Sequence, residues 1–442
     1  MRCDHLAAVT LLVIHAGLLA WSATKHSPTA QEPQSLVAGL SHWELGDFQL
    51  FRVNPPLVRM VAALPVIAAG YESDWSKLKP GIGDRPGFDV GNDFAAANGE
   101  RTFWLITIAR WACIPFSLAG GVSCFLWAKE LTGRPTGGLI ALFLWSFDPN
   151  ILAHGEFIMT DCAAAAFGVA AGYGFWRWLR RPNWQRAVVA GILLGLAQLT
   201  KTSWILLYAL WPAVWLCWSR FGRHRELPQS DGAFPGFRIQ SGQLAVILLI
   251  SVYLLNLIYG FDGTLTPLRE FHFVSRALNG ADQTGQVGNR FRDSVLGHIP
   301  VPLPLPYVEG IDIQKSDFEK PWRSFLRGEW KPGGWWYYYL YGFCVKTPHG
   351  TQLLFVIAVL TTLVGLCRRK SAARSHAAVP ASDLAVVLLP PIALIALVSS
   401  QLAMNLHFRY VLPSTGFLFV FIAATFVGLL PKRIEAEPPG RC

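Results

Sequence analysis

Acidic and basic side chains gather at a few places along this sequence, and their types could support acid–base chemistry at a charged centre. A positioned carboxylate can accept a proton from a reacting hydroxyl, and lysine or arginine can stabilise negative charge on a leaving group. These places are far apart in sequence, so only the fold can bring them together. The candidates are Glu32, Glu44, Asp47, Arg52 and Arg59 in one polar segment; Asp148, His154, Glu156 and Asp161 in FDPNILAHGEFIMTD; Lys201 in LTKTS; Lys346 and His349 in VKTPHG; and His407 and Arg409 in NLHFRYVLP.

The composition is typical of an integral membrane protein. Of 442 residues, 52% are hydrophobic and only 15% are charged, whereas about a quarter of an ordinary soluble domain is charged. Long uncharged runs recur along the chain, as expected for membrane spans. This composition excludes a cytosolic domain, a fibrous chain and a disordered chain.

The positive net charge does not indicate nucleic acid as a partner. The excess of 38 Lys and Arg over 28 Asp and Glu gives +10, and membrane proteins collect such residues on their cytoplasmic loops. No clustered basic stripe or reader motif is present. The eight cysteines show no C-x-x-C pair, so neither a metal site nor a disulfide framework is predicted. No cofactor is predicted either, although a divalent metal stays possible.

Ten apolar runs predict an all-α polytopic protein with about ten transmembrane helices. Arg and Lys clusters lie in alternate loops, which favours a cytoplasmic location for those loops and for both termini. The first run could instead be a signal peptide, and the short apolar segment 55–70, which carries Arg59, is interpreted as a helix lying at the interface. The predicted spans are 5–23, 103–128, 136–150, 157–179, 187–200, 203–219, 242–260, 351–367, 384–400 and 413–430.

This topology places two long segments, 24–102 and 261–350, on the extracytoplasmic side of a single domain comprising residues 1–442. The candidate residues above fall on the same side. An ionisable residue near membrane depth is costly and is therefore a functional candidate. We expect an active face outside the plasma (inner) membrane, with Glu32, Asp161, Lys201, Lys346 and Arg409 around one cavity.

Each candidate also has a structural interpretation. Lys201 and Lys346 lie beside span ends, where such side chains often reach out to lipid headgroups. His154 and His407 are more often hydrogen-bonded structural residues than catalysts. Asp161 begins an apolar helix at TDCAAAAFG and could simply cap it, or it could face the cavity.

The chain resembles polytopic glycosyltransferases of the GT-C type, such as protein O-mannosyltransferases, the lipid A aminoarabinose transferase and bacterial dolichyl-phosphate-mannose-dependent enzymes. The resemblance extends over nearly the whole length and depends on five strings in order. They are LVAGLSHWELGDFQLFRVNPPLVRMVAALP, DPNILAHGEFIMTD, GLAQLTKTS, LPYVEG followed by GGWWYYYLYGFCVKTP, and HFRYVLP.

The resemblance implies transfer of a sugar, with inversion, from a polyprenyl-phosphate donor to an unidentified protein, lipid or glycan acceptor on the outer face. Lys201, Lys346 and Arg409 would then bind the phosphate, and Asp161 would be a second acidic residue of the cavity. The segment beginning at Asn54 would meet the donor. The remaining predicted substrate-binding residues are Arg59, His154, Glu156 and His407.

One departure from the family's pattern affects the expected base. Such enzymes usually carry an Asp-Glu pair about 15 residues before a Gly-Asp-aromatic step, and here Gln31 and Glu32 stand at the pair. A glutamine amide cannot accept a proton at neutral pH. Glu32 could be the base instead, or Asp47 or Glu44 could be. Alternatively, the protein is a relative that binds lipid-linked sugar without turnover.

Two other function classes compete with a transferase. A transporter would show repeated halves or broken helices at mid-bilayer, and the sequence shows neither. A ligase or polymerase acting on long glycans shares the requirement for an outer-face site and stays open.

Overall fold

The computed structural model describes residues 3–78, 81–221, 235–368, 379–401 and 405–429, and these residues are mostly helical. The first half of the chain contains α1 Cys3–Ala23, α2 Glu32–Glu44, α3 Leu57–Ala69, α4 Gly87–Asn98, α5 Arg101–Thr132, α6 Pro135–Phe147, α7 Pro149–Gly155, α8 Thr160–Arg180 and α9 Trp184–Gln198. The second half contains α10 Leu206–Phe221, α11 Phe237–Ile258, α12 Arg276–Asn279, α13 Leu305–Glu319, the strands β1 Arg323–Leu326 and β2 Glu329–Pro332, α14 Tyr338–Lys346, α15 His349–Arg368, α16 Ala381–Ser399 and α17 Thr415–Phe426.

The helices fit the predicted all-α polytopic membrane class. Within the described residues, five helical stretches are long and apolar enough to cross a bilayer, and up to seven if each of two bent pairs forms one span. Each predicted apolar run coincides with a helix, but the total of ten spans stays a prediction. α9 has 15 residues and α10 has 16, so each is about 22–24 Å long, shorter than the ~30 Å hydrocarbon layer.

The predicted run 136–150 does not form a straight helix. It bends by 61° between α6 and α7, because Asp148 leaves the helical conformation and its carboxylate caps α7. The carboxylate accepts hydrogen bonds from the backbone N–H groups of Asn150 and Ile151 at 2.9 and 3.0 Å. A second pair, α14 and α15, meets at 117°. Each bent pair is either a broken span or a re-entrant loop.

The helical core is built around the small residues of α8. The run Ala163–Ala166 is buried, and Gly168 lies so close to the ring of Trp204 that a Cβ atom there would overlap it. Small residues let helices approach closely where lipid provides little hydrophobic drive. α8 thereby packs against α5, α9 and α17, which fixes the position of its first turn.

The two long polar segments fold against each other. Arg52 of the first segment forms an ion pair with Glu309 of α13 at 3.4 Å, and Val53 packs with Val274 and Ile313. Gly310 permits this approach, because a Cβ atom there would overlap the carbonyl oxygen of Arg52. The second segment also contains the β1–β2 hairpin, which was not predicted from its sequence.

Candidate functional site

A cavity of about 130 Å³, partly open at the protein surface, lies between the two long segments and the ends of the central helices. Its walls come from α2, α3, α13, the first turn of α8, and the turns before α10 and α17. The lining residues are Gln31, Gln34, Ser35, Phe51, Val53, Asn54, Val58, Arg59, Arg85, Phe88, Ile158, Met159, Thr160, Asp161, Lys201, Gln314, Asp317, Phe318, Arg409 and Tyr410.

One wall carries two cations around a single carboxylate. Asp161 Oδ1 lies 2.6 Å from Lys201 Nζ, and Asp161 Oδ2 lies 3.8 Å from Arg409 Nε. Lys201 occupies the turn between α9 and α10, and Arg409 lies in a short 3-10 helix before α17. All three side chains are largely buried. Together they leave one net positive charge on this wall, which suits an anionic ligand.

Arg59 provides a third cation, held by a histidine of the neighbouring helix. Arg59 Nε donates to His42 Nε2 at 2.8 Å, and His42 Nδ1 donates to the carbonyl oxygen of Asp47 at 2.7 Å. Burial, with the Arg59 charge, lowers the pKa of His42 well below its usual value, which agrees with a neutral ring making both bonds. Burial lowers the pKa of Arg59 to about 10, so its guanidinium stays charged at pH 7.

Two polar atoms of cavity-lining residues lack a partner among the described residues. They are Arg59 Nη2 and Gln34 Oε1, and both residues are buried and line the cavity. A buried donor or acceptor without a partner is costly. A ligand with anionic and hydroxyl groups would satisfy both atoms. Asn54, which also lines the cavity, adds a further amide.

Gln31 lines the cavity, but Glu32 does not. The Glu32 carboxylate is fully buried in a two-pronged ion pair with Arg110, with both N–O distances 2.7 Å. It also accepts from the backbone N–H groups of Thr29 and Ile158 at 2.8 and 3.3 Å. Four donors therefore occupy its two oxygens, and its role as a base stays a prediction that these surroundings do not favour.

Asp47 and Glu44 also lie away from the lining residues. Asp47 Oδ1 accepts from the backbone N–H of Gln49 at 2.5 Å, while its backbone carbonyl bonds His42. This places Asp47 in the turn that orients His42 and, through it, Arg59. Glu44 is exposed at the end of α2.

Lys346 and His407 lie outside the cavity but near its cationic wall. Both side chains are exposed. Both also interact electrostatically with the charged groups of this wall. Burial lowers the pKa of His407, and the charges of Arg409 and Lys346 lower it further. Asn150 donates to the Lys346 carbonyl at 2.9 Å, which fixes the backbone of Lys346 rather than its ammonium group.

His154 and Glu156 are placed by α7 and the turn after it. His154 Nδ1 has no hydrogen-bond partner among the described residues, and its ring feels the charges of Asp161 and Arg409. Glu156 is fully buried and accepts from His26 Nδ1 at 2.6 Å. Neither residue lines the cavity. Within the described residues, no group of His, Cys, Asp or Glu could hold a metal ion.

Sequence reasoning missed two charged residues that line the cavity, Arg85 and Asp317. They form an ion pair that joins the first segment to α13. Gln314, one turn earlier on α13, accepts from the Thr202 hydroxyl at 2.8 Å, and so docks the helix beside Lys201. In sequence, Asp317 and Arg85 lie in ordinary polar stretches, and no motif signals either of them.

One of the comparisons with known proteins found a match. A model of the dolichyl-phosphate-mannose-protein mannosyltransferase family matches residues 48–262, just under half of the chain. Over these residues the chain is similar to that family, which is of the GT-C type, and the resemblance expected from the sequence is confirmed. The family implies glycosyl transfer that depends on polyprenyl-phosphate mannose. No curated protein and no solved structure matches the chain significantly.

Proposed function

We propose that the protein transfers a sugar, with inversion, from a polyprenyl-phosphate donor to an acceptor on the extracytoplasmic face of the plasma (inner) membrane. The observation that carries this proposal is the single cavity joining Asp161, Lys201 and Arg409 to Arg59 and Asn54. The family match over residues 48–262 supports a lipid-linked donor. In this proposal both termini are cytoplasmic and both long segments are outside.

The cationic wall would bind the donor phosphate. As the bond between the sugar and the phosphate breaks, charge develops on the leaving oxygen, and preorganised cations stabilise it. Lys201 and Arg409 are held by Asp161, so they need little reorganisation during the reaction. Asp161 would thus position the cations. Lys346, exposed beside this wall, would add positive potential at the entrance, whereas His407, with its lowered pKa, would stand there as a neutral ring.

The amide-rich wall would hold the sugar. Gln31, Gln34 and Asn54 line the cavity, and amide groups can both donate to and accept from sugar hydroxyls. The unpartnered Gln34 Oε1 is suited to a hydroxyl donor. Arg59, at the same wall, would contact either the sugar or the phosphate.

The test is turnover of tritiated polyprenyl-phosphate mannose by membranes that contain the full chain, scored as label leaving the lipid phase. We expect the wild-type protein to turn over the donor. Lys201→Gln should lower the turnover rate about 100-fold or more, the range seen when one preorganised donor is removed. Lys77→Gln is the matched control, because Lys77 is exposed and pairs with Asp93 away from the cavity. Equal turnover in the two variants would contradict the proposed phosphate site.

A non-catalytic, lipid-linked-sugar-binding protein is the second candidate, and Gln31 is the observation that favours it. This glutamine lines the cavity where the family's pattern expects an aspartate. A binding protein would retain tritiated polyprenyl-phosphate mannose after purification without turning it over. In that case Gln31→Asp should gain turnover from an inactive start, whereas Gln31→Asn should not.

A further inference from the structure

The transfer proposed above needs a group that removes the proton of the acceptor hydroxyl, and the first segment does not provide it in the cavity. Gln31 cannot accept a proton, and the Glu32 carboxylate is enclosed by Arg110 and two backbone N–H groups. The carboxylates among the cavity-lining residues are Asp161 and Asp317.

These two carboxylates differ in their partners. Asp161 is 6% exposed and lies between Lys201, also 6% exposed, and Arg409. Such a buried, doubly paired carboxylate is a poor base, because protonating it would leave two buried cations unbalanced. Asp317 is paired with Arg85, which is 33% exposed, and with Lys320, which is 46% exposed and 3.4 Å away. The Asp317 side chain is itself 10% exposed, but water screens its partly exposed cations, so they hold this carboxylate less tightly than buried cations hold Asp161.

Asp317 and Asp161 line the same cavity from different elements, α13 and the first turn of α8. Tyr410 lies within electrostatic range of both carboxylates: burial raises its pKa, Arg409 lowers it, and Asp161 and Asp317 raise it further. Asp317 lies on α13, whereas Lys201 and Arg409 contact Asp161 at the first turn of α8. A sugar held between them would have its leaving phosphate at the cations and its open face toward α13.

We propose that Asp317 is the general base of this enzyme and that it replaces the carboxylate missing at Gln31. This inference depends on the proposed transferase function. The acceptor oxygen forms a bond to the anomeric carbon while the bond from that carbon to the phosphate oxygen breaks. The electron pair leaves with the phosphate, and the acceptor proton passes to a carboxylate oxygen of Asp317.

The first test compares the two halves of the Asp317–Arg85 ion pair. Turnover of tritiated polyprenyl-phosphate mannose is measured in membranes, and retention of the same donor is measured on the purified full chain. We expect Asp317→Asn to lower turnover about 100-fold or more, the contribution typical of a general base, with donor retention changed less than threefold. Arg85→Gln keeps the carboxylate and should stay within tenfold of wild type.

The outcomes separate chemistry from structure. Equal losses in Asp317→Asn and Arg85→Gln would mean that the pair only joins the segments, and the proposal would be overturned. Turnover above one tenth of wild type in Asp317→Asn would also overturn it, as would a parallel loss of donor retention. Asp293→Asn, at an exposed position of the same segment, is the charge-matched control and should be unaffected.

A second variant keeps the test decisive if Asp317→Asn is poorly folded. The double variant that combines Asp317→Asn with Arg85→Gln removes both charges of the ion pair and leaves no unpaired guanidinium. It should lack turnover but still retain the donor. Adding Gln31→Asp should restore turnover at least tenfold, because position 31 lines the same cavity. If wild type itself shows no turnover, the transferase function fails and this proposal fails with it. If wild type and Asp317→Asn are both active, only this proposal fails.

Discussion

At the scale of single residues, the Glu32–Arg110 pair is the least exposed ion pair among the described residues, at 0% and 1%. Arg110 also donates to the carbonyl oxygens of Ala23, His26 and Ser27. The pair therefore joins α5 to the chain between α1 and α2. This geometry indicates that Glu32 acts through structure rather than as a base.

Replacing Glu32 with glutamine should destabilise the protein by about 3–5 kcal/mol, because a buried charge loses its partner. Thermal unfolding in detergent would show this as a lower midpoint. Glu72→Gln, at an exposed position, should leave the midpoint unchanged. If Glu32→Gln kept its stability and lost turnover alone, Glu32 would be the base after all, contrary to the assignment of Asp317.

His42 gives a prediction about pH. Its folded-state pKa is lowered by burial and then by Arg59, so the unfolded chain binds the proton more readily. The contribution of neutral His42 to the stability of the fold is therefore complete above the ordinary histidine pKa of about 6.5. As the pH falls below that value toward the folded-state pKa, protonation of His42 in the unfolded chain lowers the free energy of unfolding by up to about 1.4 kcal/mol per pH unit.

His42→Gln should flatten this pH dependence, because a glutamine amide can bond both Arg59 and the Asp47 carbonyl without titrating. The measurement is the unfolding midpoint between pH 7.5 and 5 in both proteins. The wild-type midpoint should fall more steeply than that of the variant. Parallel slopes would mean that His42 is not the neutral ring that orients Arg59.

At the scale of elements, α13 carries Gln314 and Asp317 to the cavity, and Gly310 sets how closely it lies to the first segment. Gly310→Ala should move α13 away from Arg52, at a cost of about 1–3 kcal/mol for overpacking. We expect turnover to fall more than donor retention, since the cationic wall is not on α13. Gly350→Ala is the control, because a Cβ atom there meets nothing within 4 Å. Identical turnover in both variants would contradict this role of Gly310.

The sequence predicted the elements better than the contacts between them. Apolar runs identify helices because burial in lipid requires a continuous apolar stretch, and each predicted run coincides with a helix. Five residues were predicted to share a cavity because they flank span ends: Asp161, Lys201 and Arg409 line it together, whereas Glu32 and Lys346 do not. The Glu32–Arg110 pair could not be predicted, because 78 residues separate its partners and no pattern in the chain couples them.

At the scale of the whole molecule, the fold explains why the site draws on both long segments. Arg52 pairs with Glu309, and Arg85 pairs with Asp317, so each segment supplies one partner of each ion pair. A carboxylate missing from one segment can then be replaced from the other. Local sequence patterns could not show that one segment can replace a carboxylate of the other, because this depends on contacts between residues more than 200 positions apart.

The last prediction concerns the side of the membrane on which these segments lie. Because they contact each other directly, both must be on one side, and the distribution of basic residues favours the outside.

Single cysteines at Asp74 and Glu329, which are exposed in the first and second segments, should both react with a membrane-impermeant maleimide in intact cells. The background would lack the exposed native cysteines Cys217, Cys344 and Cys367. A cysteine at Arg134, in a predicted cytoplasmic loop, should react only after the membrane is opened. Labelling of one segment without the other would contradict the shared cavity, and labelling of both only in opened cells would place the active face in the cytoplasm.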